Sequence, residues 1–300
     1  MNNRTSRSIV SGASRLIATI PHDLRIAPYR QIIAHVEDRL RLRLDQSAML
    51  RKRWTLSAPT DRGTWVRIEA RSPEQVAARG WGGVEAAESL VGVAKPEWYQ
   101  AVSWREAGTR VWWRADETEL VPDSPIWLAG TLPAEPDLSA AWWARLRGSL
   151  GALSRQSTTR LGNLPGGIVG EAYLNTLIER AARALGAAPP RPVSFEWVPA
   201  HADLTWANLT GPRCWLLDWA DWGMAPRGLD AATLLLHSLA VPTLAARIRK
   251  EFAADLNSHS GRLVLLALCG HLATDAGKRA PALPEPVRRE ARRQLDMLTR

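Results

Sequence analysis

The feature that most narrows the fold is a change of pattern part-way along the chain. As far as Asp116, apolar residues fall mainly in short extended runs that alternate with polar ones. After a stretch holding Pro122, Pro125, Pro133 and Pro136 they recur at helical spacing. In the first part, RWTLSA and TWVRIEAR are joined by PTDRG, a turn containing Gly63, which predicts a hairpin with Val66 and Ile68 alternating with Arg67 and Glu69. A helix is expected over PEQVAARGWGGVEAAESL, interrupted near Gly82 and Gly83, followed by strands at EWYQAVSW and TRVWWRAD. In the second part LSAAWWARLRGSLGALSRQ, GEAYLNTLIERAARAL and four later segments read as helices around one short pair of strands. This order predicts an α+β chain of two lobes, a small β-rich N-terminal lobe and a larger, mostly helical C-terminal lobe.

Ahead of the hairpin, IAPYRQIIAHVEDRLRLRLDQSAML places Ile32, Ile33, Val36 and Leu40 on one helical face, with Arg39, Arg41 and Arg43 around the others. Such a basic amphipathic helix can lie on a membrane or on DNA, or pack its apolar face on the protein body. Residues 1–50 are therefore read as a basic helical extension, 51–120 as the N-terminal lobe and 121–300 as the C-terminal lobe.

The net charge of +9 comes almost wholly from arginine, and the only lysines are Lys52, Lys95, Lys250 and Lys278. This balance favours anionic partners without choosing among phosphate, nucleic acid and lipid headgroups. The two cysteines, Cys214 and Cys269, both sit in apolar runs and give neither a disulfide framework nor a thiolate metal cluster. The first twenty residues lack the apolar core and cleavage site of a secretory signal, and the most apolar later segments are too short to span a membrane. A cytoplasmic protein without membrane association is the simplest expectation. The oligomeric state is not readable.

The chemistry concentrates in VSFEWVPAHADLTWANLTGPRCWLLDWADWG. VSFEWV and CWLLDW are apolar enough for buried strands, and between them stand His201, Asp203 and Asn208, with Asp218 closing the second run. Moving a phosphoryl group needs little covalent help and much positioning and charge neutralisation. An Asp carboxylate and an Asn carbonyl are the hard oxygen donors that Mg2+ prefers, and a second carboxylate can orient a hydroxyl and accept its proton. Zinc is a poor alternative, because His201 lacks nearby partner histidines or a cysteine at ligand spacing. Asp221 is read as a solvated turn acid and His237 as a core histidine. Trp206, Trp219 and Trp222 suit either a cleft lining or the packing beneath it.

The residues HADLTWAN followed by LLDW resemble the catalytic core of the aminoglycoside phosphotransferase family, which shares the protein kinase fold and carries an H-G-D-x-x-x-x-N loop before a strand ending in a metal-binding Asp. The resemblance implies that Asp203 is the catalytic aspartate, that Asn208 and Asp218 hold Mg2+, that His201 is a structural residue of the loop, and that Asp230 in APRGLD braces the site. It further implies ATP or another nucleoside triphosphate as donor. Arg67 would then be a phosphate-contacting residue, Gly63 part of the nucleotide-covering turn, and Glu85 or Glu88 the acidic partner of Arg67. Three departures stand out, one being the long basic segment ahead of the hairpin, which the family core does not explain. Ala202 replaces the family's glycine, so the loop must avoid positive φ or carry strain, and the turn PTDRG is not a glycine-rich cradle.

The function expected is transfer of a phosphoryl group from ATP to a hydroxyl of a small molecule. Two alternatives are a catalytically silent kinase-like binding or regulatory protein, and a nucleic-acid-associated protein using the basic first fifty residues.

Overall fold

The structure is a computed structural model, and it describes residues 23–27, 29–79, 81–128, 132–164, 167–168, 170–191, 193–273 and 282–299. The chain divides into two compact units, one formed by residues up to Glu85 together with Glu97–Leu120, the other by Ala86–Pro96 together with everything from Val121 onward. The first is β-rich and the second, larger one is mostly helical, the α+β two-lobed architecture that the pattern change predicts.

The smaller unit begins with α1 (Arg30–Leu40) and continues through β1 (Leu50–Arg51), β2 (Thr55–Pro59), β3 (Thr64–Arg71), α2 (Pro73–Arg79), α3 (Gly83–Ala86), β4 (Trp98–Arg105) and β5 (Trp112–Glu119). The strands form one antiparallel sheet in the order β1-β2-β3-β5-β4. Strand alternation gives this sheet two unlike faces. Val66, Ile68 and Ala70 of β3 share one with Trp113 and Ala115 of β5, and Ile33, Val36 and Leu40 of α1 belong to the same core. The helix thus supplies the apolar cover of the sheet, the packing alternative for a basic amphipathic helix. Its last turn ends at Arg41 in a left-handed conformation, and the arginine-rich run beyond it is not helical.

On the other face the register sets Arg67 opposite Asp116 and Glu69 opposite Arg114. Glu69 is shared by Arg67 at 3.1 Å and Arg71 at 2.7 Å, while Arg114 reaches Asp116 at 2.7 Å and Glu85 at 2.9 Å.

In the larger unit the elements are β6 (Ser124–Pro125), α4 (Ala140–Leu153), β7 (Asn163–Leu164), β8 (Gly167–Ile168), α5 (Glu171–Ala184), β9 (Trp197–Ala200), β10 (Thr210–Gly211), β11 (Gly223–Pro226), α6 (Leu229–Leu236), α7 (Pro242–Glu251), α8 (Ala253–Leu256), α9 (His259–His271) and α10 (Glu285–Leu298). Every residue of α9 from Leu263 to Gly270 is buried, as befits a central helix that is apolar on all sides. Gly270 lets it approach α5 closely, because a Cβ there would fall 2.0 Å from the Leu177 carbonyl oxygen. Ser139 caps α4 by accepting from Trp142 N–H. Both cysteines are free and buried, and burial pushes the Cys214 thiol up to about 12. Among the described residues no helix is long and apolar enough to cross a membrane.

One expectation fails here. CWLLDW is not the strand partner of VSFEWV; the strands that pair are β9, shifted to WVPA, and β11, GMAP, beyond the motif. The run CWLLDW contributes only an isolated bridge between Leu216 and Leu209, because the backbone turns at Asp218, whose φ is 61°.

Candidate active site

β9 runs into His201 and Trp222 runs into β11, with Ala200 opposite Gly223 in the register. The chain between them is therefore an excursion whose two ends meet. Within it, Thr205 N–H donates to Asp203 O at 2.9 Å, a single 3-10 turn spans Trp206–Asn208, and Leu217 N–H donates to Asn208 O at 2.8 Å. That last bond returns the chain to Asn208 one residue before Asp218. Residues far apart in sequence are brought together by backbone pairing.

The loop is anchored from below. Trp206 is buried, stacks on Trp142 at 6.2 Å, meets Trp143 edge-on at 6.4 Å and donates its indole N–H to Ser238 Oγ at 2.9 Å. Trp219 and Trp222 are buried as well, so all three tryptophans pack beneath the site rather than line its surface.

Asp230, in the first turn of α6, receives the His201 N–H at 2.8 Å and the Ala202 N–H at 2.9 Å, one on each carboxylate oxygen. Burial raises its pKa, while His201 and these two bonds pull the other way. Ala202 takes the strained alternative, with φ 68°. Left-handed geometry at a non-glycine residue costs about 1–3 kcal/mol and persists only where the surroundings over-determine it; here Asp230 does so. His201 is fully buried, and its Nε2 donates to Leu217 O at 2.8 Å. It ties the two arms of the excursion together, a structural role.

Asn208 donates from Nδ2 to Asp203 O at 2.8 Å and to Asp203 Oδ2 at 2.9 Å. Both partners are acceptors, so the amide nitrogen must face them and Oδ1 must face away. The amide oxygen is left available to a cation. The pKa of Asp203 is pushed up to about 6, first by burial, which Asp218 and Asp221 reinforce and which His201 and the Asn208 hydrogen bond oppose. Two further carboxylates thus act on Asp203 in a partly desolvated place, and a cation would relieve that repulsion. Among the described residues no three His, Cys, Asp or Glu side chains form a ready-made metal cage. This donor set fits Mg2+, which is commonly held by one or two carboxylates and completed by substrate phosphates.

Asp221 is not the freely solvated turn acid that the sequence suggests. Asn163, buried at the start of β7, donates from Nδ2 to Asp221 Oδ1 at 3.1 Å and from its backbone N–H to Asp221 O at 3.0 Å. Neither Asn163 nor nearby Arg160 is marked by any pattern in the sequence. His237 follows the last turn of α6 and is exposed, not the core histidine expected from its apolar neighbours; partial desolvation lowers its pKa.

The remaining sequence candidates belong to other elements of the chain. In the smaller unit Arg67 pairs with Glu69, Glu85 is engaged by Arg114, and Gly63 occupies the β2–β3 turn with φ 70°. Glu88 belongs to the larger unit and pairs with Lys95 at 3.0 Å.

No family model matches the chain, and no curated protein matches it. Among solved structures it is similar to the amicoumacin kinase hAmiN in complex with AMP-PNP, Ca2+ and Ami, at 12% identity over 89% of this chain and 92% of that one, with a TM-score of 0.47. Choline kinase LicA from Streptococcus pneumoniae aligns at 11% identity over 89% and 99%, TM-score 0.45. The spectinomycin phosphotransferase APH(9)-Ia, in complex with ADP and spectinomycin, aligns at 9% over 91% and 89%, TM-score 0.46. Identities and TM-scores of this size assign no activity or substrate to this chain.

Proposed function

We propose that the chain is a kinase-like phosphotransferase that moves the terminal phosphoryl group of ATP to a hydroxyl of a small molecule. The observation that carries this reading is the junction of Asp203, Asn208 and Asp218. The β9–β11 pairing closes the excursion, Asp203 fixes the Asn208 amide with its oxygen turned outward, and Asp218 acts electrostatically on Asp203.

In this reading Asn208 Oδ1 and Asp218 hold Mg2+, which when bound neutralises phosphate charge. Asp203 orients the acceptor hydroxyl and takes its proton as the oxygen bonds to the terminal phosphorus and the bond to the departing nucleoside diphosphate breaks. A raised pKa suits a residue that must accept a proton near neutral pH. His201 and Asp230 keep the loop in its strained form. Arg67, with Gly63 and Glu85, provides the sequence candidates for nucleotide contacts.

Titration calorimetry of the full chain with AMP-PNP should show binding in excess Mg2+ and loss of binding in EDTA. With ATP and a panel of hydroxylated small molecules, a phosphorylated product is expected. Absence of any Mg2+-dependent nucleotide binding would overturn the reading, and binding without transfer to any acceptor would favour a silent kinase-like binding protein.

A further inference from the structure

One side of the acidic loop Asp218–Asp221 is braced by residues more than fifty positions upstream of it. Arg160–Asn163 runs alongside the chain from Ala220 to Met224, and Leu161 forms a parallel bridge with Met224. Successive carbonyls of the acidic loop each find a donor there. Arg160 Nη2 reaches Ala220 O at 3.4 Å, Asn163 N–H reaches Asp221 O at 3.0 Å, and Arg160 Nε reaches Trp222 O at 3.4 Å. Gly162 N–H donates to Met224 O at 2.9 Å, and Met224 N–H returns a bond to Arg160 O at 2.8 Å. The guanidinium of Arg160 also lies 5.7 Å from the Trp222 ring centroid.

Asp218 needs such a splint. Its φ of 61° lies in the left-handed region, which aspartate tolerates better than most residues but still at a cost, and a strained residue keeps its conformation only when its surroundings impose it. Most of these contacts use backbone atoms or a long flexible arginine. The Asn163 side chain is different: it is 2% exposed and bonds the side chain of an acid that acts on Asp203. A neutral amide fixes a carboxylate without cancelling its charge, which a lysine or arginine in its place would do.

We propose that Asn163 is a positioning residue for the acidic loop, holding Asp221 and through it the Asp218 backbone in the arrangement that receives Mg2+. The proposal rests on the reading of His201–Asp221 as a Mg2+-nucleotide site. Asn163 itself touches neither metal nor substrate.

The test compares the full chain with Asn163→Ala and Asn163→Asp, the second preserving side-chain size while setting an acceptor against Asp221. Three quantities are measured: the melting temperature, hydrogen exchange of the amides of residues 219–222, and the Mg2+ concentration at half-saturation of AMP-PNP binding. Asn163 acts on the ligand Asp218 only through Asp221, so the low end of the roughly 10–100-fold loss in metal affinity seen when outer-shell partners are removed applies. Asn163→Ala is therefore expected to raise the Mg2+ half-saturation about tenfold, with nucleotide affinity at saturating Mg2+ within about twofold of the unaltered chain. Local exchange should quicken by about tenfold while the melt stays within about 3 °C. Asn163→Asp should exceed Asn163→Ala in both readouts. Unchanged Mg2+ dependence in both variants overturns the proposal, as does a loss explained by a lower melting temperature in both. If the unaltered chain binds no Mg2+-nucleotide, the phosphotransferase reading fails, and exchange at residues 219–222 alone then decides whether Asn163 positions the loop.

Discussion

Asp203→Asn is expected to lower phosphoryl transfer by about 10³-fold while leaving Mg2+-dependent nucleotide binding within a few-fold, since general-base contributions run to about 10²–10⁴. The substitution is conservative for the fold. Asn208 donates to the Asp203 carbonyl and to Oδ2, and an asparagine side chain can present its oxygen at the second of these. Removing the charge should also stabilise the metal-free chain, because Asp203 is harder to ionise when folded, at about 6 against an ordinary value of 3.8. The folded state thus binds the proton more tightly. The penalty is full above the folded pKa and fades as pH falls through about 6 towards 4. At pH 8 in chelator, Asp203→Asn should gain on the order of 1–3 kcal/mol, and this gain should shrink towards zero near pH 4. Thermal melts across that range, with transfer assays at neutral pH, check both halves. Retained transfer would remove Asp203 from the mechanism, and a pH-independent gain would remove the electrostatic account.

Gly223→Ala is expected to destabilise the larger unit by about 3 kcal/mol or more, at the upper end of overpacking effects. A Cβ at Gly223 would meet only backbone: Leu161 C at 2.5 Å, Gly162 N at 2.6 Å and Arg160 O at 2.8 Å. None of these can rotate away as a side chain would. Relief requires parting β11 from the Arg160–Asn163 splint or from β9, and either movement displaces Asp218. Gly148→Ala is the matched control, because a Cβ there meets nothing within 4 Å on the surface of α4, and alanine is favoured over glycine within a helix by about 0.5–1 kcal/mol. Melting curves should fall by about 5–10 °C for Gly223→Ala and hold or rise for Gly148→Ala. Equal melts for both would mean that the splint does not press on β11.

The pattern of the chain revealed the hairpin of β2 and β3 because Val66 and Ile68 alternate cleanly with Arg67 and Glu69, and it revealed α5 because Leu174, Leu177 and Ile178 keep helical spacing. It also marked His201, Asp203, Asn208, Asp218 and Asp230, which lie in one stretch of sequence. It misjudged the strands around them. An apolar run such as CWLLDW reads as a buried strand by composition, yet its Trp219 packs under a turn, while GMAP is too short and too rich in turn-forming residues to announce itself. Asn163 was invisible for another reason: its importance comes from a contact across 58 positions, and no local periodicity encodes that. The identity of the cover on the smaller unit's sheet was equally hidden, since an amphipathic helix declares that it has a partner without saying which.

The grouping of Ala86–Pro96 with the larger unit bears on how the gene could be cut. Ala94 N–H donates to Ser149 Oγ at 3.1 Å, Ala94 O accepts from Leu216 N–H at 2.8 Å, and Ala87 and Leu90 sit in the larger unit's core. Those eleven residues start with the last residue of α3 and end before β4 of the other unit, so each unit is discontinuous along the chain. A fragment begun at Val121 would leave buried side chains and hydrogen bonds of its own unit behind on the discarded piece. The two halves can be described apart, but a single cut cannot deliver either one whole.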